Sequence, residues 1–149
     1  LFGVSCFDAI ASRVKNNRNL PVTDLLLIVI ESKRKELYFE CRDKSGTEII
    51  ESQALSISDI AGRFESLYQP GESVRIAGDA GGLIVEAIAE IIKPSGPAFT
   101  EDFSGVDAFD ITTTKEYWAL FNSTANLGYS YQVDLNYLRK PDVSIPKIR

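Results

Sequence analysis

Apolar and polar residues alternate along this chain in two rhythms, one near 3.6 residues and one of two, and the switches between them mark out its elements. Phe7, Ile10, Ala11 and Val14 share one face at helical spacing. Ser5, with Asp8 three positions on, fits a capping box, so residues 5–16 predict a short helix. The stretch from Asn16 to Pro21 is a polar stop. Asp24 to Glu31 encloses a short apolar run that turns β-branched at its end, the pattern of a buried strand. Leu37, Phe39 and Cys41 then alternate with Tyr38, Glu40 and Arg42, which predicts a strand with one apolar face. Turns at Ser32 to Lys35 and Asp43 to Gly46 flank it, and Thr47, Ile49 and Ile50 begin a third strand. The three strands read as a meander.

The period of 3.6 returns after Ser56, which can cap a helix with Asp59. Ile57, Ile60, Ala61, Phe64, Leu67 and Tyr68 share its apolar face, and Pro70-Gly71 ends it. Val74 to Ile76 is a short strand, Gly78 to Gly82 a loose turn, and Leu83 to Ile92 a long strand of alternating residues. Residues 93–111, acidic and broken by Pro94, Gly96 and Pro97, predict an extended connection. Thr113 to Glu116 is a further capping box, opening a helix to about Asn122. Tyr129, Tyr131, Val133, Leu135 and Tyr137 alternate with polar residues in a last strand, and Asp142 to Arg149 is a short polar tail.

Composition narrows the chemistry. With 149 residues, 44% of them hydrophobic and 25% charged, the chain is one folded domain in size and has enough apolar mass for a core. It contains no histidine, which excludes a His general base, a Ser-His-Asp triad and a His metal ligand. Cys6 and Cys41 are too few for a cysteine zinc site; one disulfide and two reduced thiols are both compatible with them. The longest apolar run, Leu25 to Ile30, is too short for a membrane span, so no membrane insertion is expected. The chain begins with Leu1 and has no methionine, which suits a processed chain or a fragment. A soluble, intracellular setting is the favoured expectation. The net charge of −5 arises mostly after residue 50 and opposes free nucleic-acid binding at long range.

The order strand, strand, strand, capped helix, strand, strand resembles an OB fold over about residues 22–93. Leu37 to Gly46 resembles its second strand and turn, and Ser56 to Tyr68 its helix. Pro70 to Gly78 looks like the entry to strand four, and Leu83 to Ile92 like strand five. The expected fold is mainly β with helices: an OB-like five-stranded barrel plus a C-terminal helix and strand extension. Its parts would be an N-terminal helix and loop (1–21), the barrel (22–93), and an acidic connection with helix and strand packed on it (94–149).

The resemblance implies a binding module, and OB domains often take single-stranded nucleic acid on aromatic platforms and basic strips. Candidates here are Lys33, Arg34 and Lys35 in the first turn, Tyr38 and Arg42 on the polar face of the next strand, Lys44 in its turn, and Arg75 in strand four. A solvated hairpin tip is the favoured reading of the turn lysines. Tyr117, Trp118, Phe121, Tyr129, Tyr131 and Tyr137 supply more rings than a small accessory layer needs and are interface candidates. Glu101 with Asp102, or Asp107 with Asp110, could hold a hard cation, but a solvated acidic loop is the simpler reading. Gly78 to Gly82 lacks the Lys-Ser/Thr of a phosphate loop and is expected to join strands without opening a helix. Asn122 to Thr124 matches a glycosylation acceptor in form only. The expectation is a non-enzymatic structural or adaptor subunit of a homo- or hetero-oligomeric protein assembly, with no cofactor and no metal. Nucleic-acid binding is the alternative, disfavoured by charge, and a carboxylate enzyme is the weakest reading.

Overall fold

The computed structural model describes residues 5–92, 100–102 and 105 of the chain. Helix α1 spans Cys6–Asn16, with Ser5 Oγ accepting from the Phe7 amide at its start. Strands β1 (Leu25–Ile30), β2 (Leu37–Asp43) and β3 (Glu48–Leu55) follow, then α2 (Ile57–Leu67). Ser56 caps α2 by accepting from the Asp59 amide at 3.1 Å and donating to its carboxylate at 2.7 Å. Strand β4 (Val74–Ala77), a 3-10 turn at Gly81–Leu83, α3 (Val85–Ile92) and β5 (Thr100–Asp102) complete the described elements.

The sheet has the order β3-β2-β1-β4-β5. β1 is antiparallel to β2 and parallel to β4, and β4 is parallel to β5. This is an open mixed sheet, not the closed OB barrel the sequence pattern suggested, because β3 and β5 sit at opposite edges. The parallel pair β1 and β4 requires a crossover, and α2 lies in the connection that returns the chain to β4. As the centre strand, β1 is apolar at every position, since both of its faces are covered.

Leu27, Val29, Phe39, Cys41 and Ile76 form the larger core with Ile60 and Phe64 of α2 and Ile88 of α3. Ile28 and Ala77 form the smaller one with Phe7 and Ile10 of α1. The layers are therefore α1, sheet, and α2 with α3. Edge strand β3 carries two register shifts against β2, and Glu48 and Glu51 are exposed along it. Bulges and charges of this kind oppose sheet-to-sheet pairing.

Residues 85–92 form a helix where a strand was expected. The segment fits both periods. Ile84, Ile88, Ile91 and Ile92 lie four, seven and eight positions along one helical face, while Glu86 and Glu90 lie together on another. Ile84 and Ile88 are fully buried, so tertiary packing selects the helical period, for which Ala and Glu also have good propensity. Gly78 to Gly82 consequently leads into a helix. Within the acidic connection, residues 100–102 are a sheet strand.

Two contacts lock β1 to β4. At their starts, the Asp24 carboxylate accepts from the Ser73 amide at 2.9 Å and hydroxyl at 2.7 Å, which holds it below its ordinary pKa. At their ends, Gly78 has φ +99°, and a Cβ there would lie 2.2 Å from the Val29 carbonyl oxygen. Gly78→Ala is therefore expected to cost about 3 kcal/mol or more of stability. Gly46→Ala, also at positive φ but facing open space, should cost roughly 1 kcal/mol. Urea denaturation compares the two, and equal losses would contradict the close approach at Val29.

Candidate functional site

The α1 face of the sheet is charged as well as apolar. Arg42 of β2 is 8% exposed, and its Nη2 donates to Asp8 of α1 at 2.6 Å. Its Nε pairs with Glu40, and Glu48 of β3 lies 3.5 Å from Nη2. Glu40 is itself only 2% exposed. Burial is the main cause that pushes its carboxyl up from 4.5 to about 6, against the pull of Arg42 and with help from Glu48 and Asp8.

Arg75 of β4 is buried beside this layer, in register with Leu26. Its Nη2 donates to the Pro21 carbonyl at 2.9 Å, while Nε and Nη1 have no hydrogen-bond partner among the described residues. Burial pulls the guanidinium below its ordinary pKa, and Asp102 opposes that pull. Arg13 of α1 pairs with Asp102 at 3.3 Å and donates to the Gly105 carbonyl at 2.7 Å, which ties α1 to the β5 side.

The two sheet arginines hold the two walls of a groove of about 380 Å³. One wall is α1, fixed by Arg42 through Asp8; the other is the loop before β1, fixed by Arg75 through Pro21. Val14, Leu20, Val22 and Leu26 supply apolar lining, and Lys15 and Lys44 supply charge. Val22 is 83% exposed. The sequence pattern had passed over this groove. Its one signal was Leu20, an apolar residue inside the polar stop, with Val22 just beyond it.

The nucleic-acid candidates are not gathered on one surface. Lys33, Arg34 and Lys35 are exposed in the β1–β2 turn, with Lys33 paired to Glu31 at 2.6 Å. Lys44 lies at the other end of β2, and Tyr38 is half-buried against the smaller core. Arg42 and Arg75 are internal. The Gly78 to Gly82 turn offers no phosphate cradle, since the Ala80, Gly81 and Leu83 amides already donate to Val29, Gly78 and Ala80 carbonyls. Among the described residues no His/Cys/Asp/Glu group could hold a metal ion, and no helix is long and apolar enough to cross a membrane. Asp102, one of the cation candidates, is committed to Arg13. The described cysteines are free thiols: Cys6 is exposed, and Cys41 is buried with its pKa pushed up to about 12. Tyr117, Trp118, Phe121, Tyr129, Tyr131 and Tyr137, and Asp107 and Asp110, lie outside the described residues.

No protein-family model matches the chain, and no curated protein matches it significantly. Its structure is similar to the crystal structure of a Pseudomonas aeruginosa protein described as uncharacterized and as similar to the peptidase YEAZ. The two share 16% identity at a TM-score of 0.57, over 91% of this chain and 57% of the other. The chain thus spans little more than half the length of that neighbour. The likeness is one of fold alone, and together with the open sheet it overturns the OB identification and the barrel.

Two outcomes follow from the buried groups. Glu40's folded pKa, about 6, lies above its ordinary 4.5, so the folded chain holds this proton more tightly than the unfolded chain. Its contribution to stability is full below pH 4.5 and is lost as pH rises through about 6. Glu40→Gln should abolish that fall, gaining on the parent by about 1–2 kcal/mol between the two limits. Urea melts at both ends of the window test this, and parallel pH profiles would contradict it. A maleimide should label Cys6 in the native chain and Cys41 only after unfolding; native labelling at Cys41 would contradict its burial.

Proposed function

We propose that the chain serves as a non-catalytic subunit of a protein assembly, acting by docking another protein. The observation that carries this is the groove beside α1, an open cleft with apolar lining whose walls are held by buried arginines. The fold neighbour's likeness to a peptidase does not extend to histidine-dependent peptidase chemistry here. The chain has no histidine, and Cys41, with a pKa near 12 and no exposure, is not a nucleophile. Nucleic-acid binding has less support, because the cations that suggested it are dispersed or used internally.

The test is purification of the protein carrying this chain, at its natural expression level and after nuclease treatment, followed by mass measurement on the intact particle. The expected result is a fixed stoichiometric complex with at least one other polypeptide. Migration as a single free polypeptide, with no partner recovered after mild crosslinking, would contradict the proposal.

A further inference from the structure

The groove's charges are uneven in a way that selects an occupant. Two carboxylates line it, and both are already engaged. Asp8 accepts from Arg42 at 2.6 Å. Asp43 accepts from the Ser45 amide at 2.8 Å, the Ser45 hydroxyl at 2.6 Å and the Thr47 amide at 3.0 Å, which closes the β2–β3 turn on itself. Lys15 and Lys44 line the same groove, are exposed, and make no ion pair or hydrogen bond among the described residues, Lys44 acting on Asp24 only through longer-range attraction. Lys15 also sits in the last turn of α1, where Ala11 and Val14 turn apolar surface to the cleft. Val22, on the opposite wall, leaves a large apolar side chain in water at 83% exposure.

We propose that this groove binds an acidic peptide segment of a partner protein. An apolar side chain of the segment would rest against Val14, Val22 and Leu26, and its flanking carboxylates would meet Lys15 and Lys44. This rests on the docking reading above and specifies the partner's chemistry. The chain's overall charge of −5 does not oppose it at contact range. Distant charges are screened over about 8 Å at physiological ionic strength, whereas the two lysines act at the rim. The open cleft favours an extended segment over an enclosed small molecule, since the Val22 wall faces solvent.

Panning of random dodecapeptides on the intact chain, followed by fluorescence anisotropy of the enriched peptides, tests the proposal. Enriched peptides should carry Asp or Glu around an apolar residue. Their affinity should fall about tenfold or more in the double variant Lys15→Glu/Lys44→Glu and in Val22→Asp, and should weaken with salt. All three positions are exposed or line the cleft, and unchanged circular-dichroism melts would confirm that the variants fold. No enrichment, or equal binding by the double variant, would overturn the proposal. So would lysine-dependent binding of dodecanoate without any peptide, which would make the groove a site for small amphipathic acids. In the complex assay above, groove variants that keep the parent's partners would also overturn it while leaving the subunit reading standing. A parent chain that has no partner would instead sink the subunit reading.

Discussion

Two guanidiniums buried on one face of the sheet set the shape of what lies above that face. A cation taken out of water is costly unless it is compensated, and removing a partner from a buried pair costs more than the pair contributes. Arg42 meets this requirement with carboxylates from α1, β2 and β3, so α1 cannot shift along the sheet without stranding charge. Arg75 reaches the loop before β1 through the Pro21 carbonyl. The apolar contacts of Phe7 and Ile10 supply burial for α1, but contacts of that kind are non-directional. Direction comes from the arginines, and with it the spacing of the groove walls.

The opposite layer obeys a different constraint. β1 and β4 run parallel, clasped at one end by Asp24 and Ser73 and brought close at the other by Gly78. That pairing forces the crossover through α2 and leaves the larger core to be filled by Ile60, Phe64, Ile84 and Ile88. Among the described residues the sheet thus has unlike faces: one covered by α2 and α3, the other carrying a charged layer under α1.

Local elements were largely legible in the sequence, and their assembly was not. The capped helices α1 and α2, the apolar run of β1 and the alternation of β2 all appear where their periodicity places them. The order of strands up to β4 is shared by an OB barrel and an open mixed sheet, and no local pattern says whether two strands run parallel. The segment Leu83 to Ile92 reads as a strand because its apolar and acidic residues satisfy both periods, and only the core against Ile84 and Ile88 decides between them. The site was hidden for a related reason. The polar face of β2, with Glu40 and Arg42, reads as a solvent face until α1 is known to cover it, and only then do its cations become internal supports. Leu20 reads as part of a polar stop and Val22 as a flank of it, because the exposure of Val22 follows from where Arg75 holds the loop.

Arg42 and Arg75 fix the groove walls independently of the sheet beneath. Hydrogen exchange on Arg42→Met and Arg75→Met, against the parent chain, measures this directly. Exchange should quicken in α1 for the first variant and in residues 17–23 for the second, with β1, β2 and β4 amides as protected as before. Loss of protection spread evenly through the sheet, or no change in either wall, would contradict it.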